Sequence, residues 1–213
     1  KLFPAMLCTM LAGGIYAQDV QQTQRGASFQ SQGLDVNVEF LSPEIVRVVK
    51  APTGKDYTKN SLVVIMKPED TKLQFKKNGN GATVSSDKVK VDINAETGGL
   101  HFSDASGKEM IVDKDYGTQF TPFNDAGTPS FSVRQAFLLD KDEVIYGLGQ
   151  QQTGKVNQRG QKLLLRNQNM SICIPFIHSV KGYALYWDNY SPTTFLDLSL
   201  IHISEPTRRR GIS

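Results

Sequence analysis

The chain has 213 residues, enough for one large domain or two small ones, with 39% hydrophobic residues, 21% charged residues and 18 glycines. That balance excludes a disordered or fibrous chain and suits a globular β-rich one. The formal net charge of +3 comes from the ends. Setting aside Lys1, Glu205 and Arg208–Arg210 leaves 20 of 24 basic and 20 of 21 acidic residues, so the body is neutral and nothing favours nucleic acid as a partner.

Lys1 precedes a mostly apolar run, Leu2–Gly13, and Gly14-Ile15-Tyr16-Ala17 leads into Gln18. This pattern predicts a partial signal peptide over 1–17, cleaved after Ala17, and therefore an exported, periplasmic or extracellular protein. The absence of a starting Met predicts a truncated beginning. The apolar run is too short to span a bilayer, so no membrane span is expected. A lipoprotein reading through Cys8 would place Leu7, a large side chain, directly before the cysteine. With Cys8 removed only Cys173 remains, and one cysteine makes no internal disulfide. Its neighbours Ile172 and Ile174 predict a packed core thiol.

Residues 18–33, rich in Gln and Ser, are expected to form a loose polar lead-in to a domain over 34–197. Leu34, Val36, Val38 and Phe40 alternate with polar residues, the pattern of a strand with one buried face. Ile45–Val49 is the next strand, and Ala51-Pro52-Thr53-Gly54 a turn. Leu62–Met66, continuously apolar, predicts a fully buried central strand. Leu73-Gln74-Phe75 reads as a short edge, and Asn78-Gly79-Asn80-Gly81 as a hairpin turn. Val84 opens the next segment, and alternation resumes at Val89, Val91 and Ile93. Glu96–Gly99 and Asp104–Gly107 turn the chain into Leu100-His101-Phe102 and Met110-Ile111-Val112. Ser130–Leu139 predicts a long strand whose buried face carries Phe131, Val133, Phe137 and Leu139, with Gln135 as the exception. No amphipathic helix of ten residues is found. Many short strands with Gly, Asn and Asp turns predict an all-β, antiparallel β-sandwich of undetermined strand order.

Val144-Ile145-Tyr146 is a short β run expected to end at Gly147-Leu148-Gly149. Gln150, Gln151, Gln152, Asn157, Gln158, Arg159 and Gln161 follow. Their amides donate and accept without charge, which suits hydroxyl-rich ligands such as sugars and equally suits solvated turns. Two apolar strands joined at Lys181-Gly182 come next, and Asp188 is expected to organise a turn over Trp187–Tyr190.

Tyr146-Gly147-Leu148-Gly149-Gln150, Pro175-Phe176-Ile177, Lys181-Gly182-Tyr183-Ala184, Trp187-Asp188-Asn189 and Thr193-Thr194-Phe195 keep one order over some fifty residues. This stretch resembles the N-terminal domain of glycoside hydrolase family 31, the α-glucosidase and α-xylosidase family. Gln150–Gln152 and Asn157-Gln158-Arg159 look most like its bacterial α-xylosidase branch. The resemblance implies a galactose-mutarotase-like sandwich, an oligosaccharide substrate and catalytic aspartates on a C-terminal (β/α)8 barrel that follows this domain. Such a barrel needs about 250 residues, more than the chain has left. No catalytic residue is therefore assigned here. In α-glucosidase relatives an Asn-x-Asp loop of this domain touches the substrate. The matching positions are Asn167-Gln168-Asn169, beside Arg166. Asn169 stands where the acid would be, so its contact would be a neutral hydrogen bond, compatible with a sugar such as xylose. Arg166, Asn167, Gln168 and Asn169 are the expected substrate contacts, against the alternative that they simply connect two strands.

Leu198–Arg208, LSLIHISEPTR, has no family resemblance and looks like an in-frame translation of a sequencing adapter. Residues 198–213 are read as an artefactual tail, so His202 and Arg208–Arg210 carry no functional argument. His101 and His178 sit in apolar surroundings without Cys or acidic company, so no metal and no cofactor are expected. The expectation is the N-terminal part of an exported retaining α-glycosidase, inactive alone. The competing reading is a stand-alone carbohydrate-binding β-sandwich module.

Overall fold

The computed structural model describes residues 19–55 and 61–197, and the backbone alone of 201–206. The expected signal peptide over 1–17 and most of the expected tail lie outside these residues. No helix occurs among the described residues, and no helix is long and apolar enough to cross a membrane.

Four strands form one antiparallel sheet: β1 (Gln21–Thr23), β2 (Gly26–Ser31), β3 (Leu34–Ser42) and β4 (Ile45–Pro52). The lead-in expected over 18–33 is therefore wrong. Ala27, Phe29 and Ser31 alternate inward along β2, and Val20 is also buried, so this polar-looking stretch carries its own half-buried strand.

A ten-stranded sheet forms the opposing layer. Its first strands are the meander β5 (Gln74–Asn78), β6 (Gly81–Ser85), β7 (Val89–Asn94), β8 (Gly99–Asp104) and β9 (Glu109–Asp113). β10 (Gln119–Asp125) and β11 (Thr128–Leu138) form a hairpin whose longer arm continues the sheet. β13 (Lys162–Leu165) and β16 (Thr193–Asp197) complete its far edge together with β17 (Ile201–Pro206), which lies between β16 and β11. Ladder hydrogen bonds are main-chain bonds and accept almost any sequence, so this slot is filled whatever the origin of residues 198–213. A third sheet has the order β12-β14-β15: β12 (Ile145–Gln150), β14 (Ile172–Ser179) and β15 (Ala184–Tyr186).

Two apolar clusters fill the space between layers. Val36, Val38 and Phe40 of β3 meet Val84, Val91, Ile93 and Leu100 beneath the four-stranded sheet. Ile111, Phe137, Leu163, Leu165 and Phe195 meet Ile145, Leu148, Ile177 and Tyr183 beneath the three-stranded one. Phe102 packs against both clusters. The fold class is thus the all-β antiparallel sandwich expected from the strand pattern.

Two strand readings need correction. Leu62–Met66 is not a strand: Leu62 is 78% and Ile65 92% exposed. The Ser61 hydroxyl accepts the Val63 and Val64 amides, a local turn that competes with sheet pairing, and Pro68 denies the segment a donor. Gly147-Leu148-Gly149 does not end its strand but sits inside β12 as a bulge. The inward Gln135 has a reason: its side-chain oxygen accepts from Thr118 (2.6 Å) and Lys50 (3.3 Å) beside the buried Lys50–Asp113 ion pair.

Candidate functional site

The connection from β13 to β14 is a tight hairpin built by its own side chains. Gln168 and Ser171 exchange main-chain bonds of 3.2 and 3.1 Å, leaving Asn169 and Met170 at the tip. Arg166 Nε donates to Gln168 Oε1 at 2.7 Å, and the Cys173 amide donates to Asn167 Oδ1 at 2.7 Å. Arg166, Asn167 and Gln168 are therefore committed in part to shaping the loop. Asn169 is exposed at its end. Met170 has φ of 70°, a left-handed conformation that costs a side chain of this kind roughly 1–3 kcal/mol. The strain turns the chain back at the point where Asn169 is presented.

The register of β12 on β14 brings Gln150 opposite Ile172. Gln151 Nε2 donates to Leu148 O (3.1 Å) and Ile172 O (3.4 Å), so the first part of the Gln/Asn-rich stretch lies beside the hairpin. Its second part does not join the site. Gln158 and Gln161 are buried, and Arg159 is tethered: Nε donates to Asp197 Oδ2 (2.8 Å) and Nη1 to Asp140 O (2.8 Å). The Gly160 amide also donates to Asp197 Oδ2 (2.7 Å). These residues brace the loop from inside.

Sequence reasoning missed a second brace. The buried Glu143 accepts from Ser179 Oγ and Tyr183 Oη, each at 2.5 Å, and faces Lys181 Nζ at 3.5 Å. Burial first, then the Glu143 hydrogen bond and charge, push the Tyr183 phenol far above its ordinary range, so it stays a neutral donor. Burial opposes the Lys181 charge, but Asp140 and Glu143 together hold it above the ordinary lysine range. The signal for this cluster lay in three acidic residues, Asp140, Asp142 and Glu143, crowded just before an apolar strand. Their spacing named no partner.

Asp188 is exposed, and Asn189 rather than Asp188 caps the turn by accepting the Ser191 amide at 3.0 Å. His101 and His178 are both exposed, and the His178 ring packs 5.3 Å from that of Tyr146. Cys173 is half-buried against the second core cluster. Among the described residues no three His, Cys, Asp or Glu side chains are grouped to hold a metal ion. Among the described residues two hollows stand out. One is small and apolar, lined by Leu148, Leu165, Pro175, Trp187 and their neighbours. The other is a polar groove beside the first core, lined by Gln32, Thr97, Tyr116 and their neighbours, and neither is lined by an Asp or Glu.

Residues 35–195 match the glycosyl hydrolase 31 N-terminal galactose mutarotase-like domain. The chain belongs to glycoside hydrolase family 31. An alpha-xylosidase of Saccharolobus solfataricus is 35% identical over 170 residues, covering 74% of this chain and 22% of the relative. Alpha-xylosidase A of Aspergillus niger is 40% identical over 58 residues, 27% of this chain and 8% of the relative. Among solved structures, the family 31 alpha-xylosidase of Xanthomonas citri superposes with a TM-score of 0.78 at 31% identity, over 83% of this chain and 20% of that one. The chain thus spans about a fifth of the length of the Saccharolobus and Xanthomonas alpha-xylosidases, and its match covers 8% of the Aspergillus one. The family 31 domain seen here has its matched region inside the sandwich just described, and β1 and β2 precede it.

Proposed function

We propose that this chain is the N-terminal domain of an exported retaining α-glycosidase of the α-xylosidase type. It contributes scaffold and one substrate-contact loop. The observation that carries the reading is the hairpin tip, which is braced from two sides and presents the neutral Asn169. A neutral amide hydrogen-bonds sugar hydroxyls without demanding a compensating charge. The likeness to alpha-xylosidases supports xylose as the sugar recognised.

Cleavage by this class of enzyme uses two carboxyl groups, a nucleophile that forms a glycosyl-enzyme and an acid that protonates the leaving oxygen. Glu143 and Asp197 are unsuited to either part, because both are buried and engaged with neighbours of their own. The pair belongs instead to a (β/α)8 barrel in the part of the relatives that this chain does not span. Export rests on the charged, then apolar, then small-residue order of Lys1–Ala17.

The exposed face of β14 supports a larger whole over a free-standing binding module. Ile172 and Ile174 are 54% and 51% exposed, with Phe176 beside them, and an apolar row of this kind marks a surface made to be covered. The test is kinetic. The complete enzyme from the source locus should hydrolyse an aryl α-xyloside, and residues 18–197 alone should not. Asn169→Asp should shift kcat/KM toward an aryl α-glucoside by about tenfold, or about 1.4 kcal/mol. Turnover by the isolated fragment, or an unchanged preference in the variant, defeats the reading.

A further inference from the structure

The polar groove lies where three turns converge. The first is the β2–β3 turn, Gln32-Gly33. The second is the β7–β8 turn, which includes Thr97 and Gly98. The third is the loop Lys114–Thr118 between β9 and β10. Ser31, Gln32, Thr97, Thr118, Gln119 and Tyr116 supply its rim and walls, and Leu34 and Val36 its apolar floor. Its cavity volume is about 240 Å³, a little under the roughly 300–1,000 Å³ usual for small-ligand sites, so it takes part of a ligand and leaves the rest in solvent.

The turns that shape it are held under backbone strain. Gln32 has φ of 53° and Tyr116 of 56°, left-handed values that neither side chain favours. Both are locked in place. Gln32 Nε2 donates across the sandwich to Glu96 O at 2.8 Å, and Ser31 Oγ donates to the same oxygen at 3.3 Å. The Tyr116 amide donates to Thr97 O at 3.2 Å, and the Gly117 amide to Lys114 O at 2.8 Å. The result holds an aromatic side chain, 55% exposed, at the lip of a groove.

The groove's charge is already spent. Lys50 closes its inner end, but Lys50 Nζ is matched to Asp113 Oδ2 at 2.5 Å and bonded to Thr118 Oγ1 at 3.0 Å. Ser31, Gln32, Thr97 and Thr118 each give one donor to the protein. What remains for a ligand is neutral: the oxygen and second N–H of the Gln32 amide, lone pairs on the Ser31 hydroxyl, an apolar floor and an exposed ring. That combination suits a neutral polyhydroxylated molecule with one apolar face. We propose that this groove is a second, non-catalytic binding site for a neutral oligosaccharide, separate from the Asn169 hairpin and independent of any catalytic role.

The experiment is an amide-resolved NMR titration of the full 213-residue chain with maltotriose and with isoprimeverose, using inorganic phosphate as the charged control. The Gly33, Gly98, Gly117 and Thr118 amides should shift along one saturating curve with at least one of the two sugars. Tyr116→Gly relieves the left-handed strain while removing the ring, so the fold should hold while Kd rises about tenfold. Tyr116→Phe keeps the ring and should bind within about threefold of the parent. The proposal is overturned if neither sugar moves the groove amides, or if phosphate moves them as strongly. It is also overturned if the shifts gather only around Asn167–Ile172, or if Tyr116→Gly binds unchanged.

Discussion

Gly147, Leu148 and Gly149 have φ values of 119°, 67° and 81°, three consecutive residues on the side of the map that side chains avoid. At the two glycines the requirement is also steric. A Cβ on Gly147 would stand 2.2 Å from Phe176 O, and one on Gly149 would stand 2.2 Å from Ile172 O and 2.7 Å from Ile174 N. Both obstacles are main chain and cannot rotate away. Gly149→Ala should therefore lose more than about 2 kcal/mol, seen as a lower urea midpoint at unchanged slope. A midpoint equal to the parent's would mean that the β12–β14 bulge is not rigid. Asp104 offers a pH test at the same scale. The Ser106 hydroxyl first, then the Lys108 amide, hold its carboxyl below the ordinary 3.8. A depressed carboxyl supports its turn above that value and releases it as pH falls through the lower, folded one. The Ser106 and Lys108 amide resonances should stay fixed down to about pH 4 and move only below it, and Asp104→Asn should abolish that step.

Elements formed from local pattern were legible, and those decided by long-range packing were not. The turns at Asn78–Gly81, Glu96–Gly99 and Asp104–Gly107 fall where their glycines and short polar side chains place them, because a tight turn is specified by the residues inside it. The strand β2 was hidden because only Ala27 and Phe29 mark its inner face. Leu62–Met66 misled because an unbroken apolar run has no period, so composition alone suggested burial. Arg166–Asn169 do join two strands, which is compatible with either reading of them, and nothing in their sequence shows that Arg166 and Asn167 spend polar atoms on the loop itself. The apolar neighbours of Cys173 pointed to a packed thiol; Cys173 lies half-buried against the second core, while Ile172, Ile174 and Phe176 form the outer face of β14, since alternate residues of a strand face opposite ways. Replacing Ile172 and Ile174 together by Thr keeps strand propensity and removes apolar surface. In this chain the change should cut hydrophobic-dye binding and self-association while altering stability by less than about 0.5 kcal/mol. If the row is covered in the complete enzyme, as proposed, the same change should lower that enzyme's stability. Equal dye binding by variant and parent would show that the row is not the sticky surface.

At the scale of the molecule, one long sheet serves two cores. The ten-stranded layer runs beneath both the four-stranded and the three-stranded sheets, and Phe102 contributes to the clusters on either side. The ion pair of Arg159 with Asp197, 19% and 3% exposed at their side chains, ties the polar loop to β16 under the second core, so the candidate site is mounted on that half. The polar groove is mounted on the first half, where Val36 is part of both the groove floor and the first core. The continuity of the sheet makes the two halves a single cooperative unit, since neither core can open without exposing ladder groups of the strands they share. Phe40 anchors the first core and Phe195 the second, both fully buried. Phe40→Ala and Phe195→Ala should each cost about 3–5 kcal/mol. Each should shift one common transition, followed by circular dichroism for the strands and by the fluorescence of Trp187 in the second core. If Phe40→Ala moves the circular-dichroism midpoint and leaves the Trp187 midpoint in place, the halves unfold separately. The shared sheet is then a seam between two units rather than a common floor.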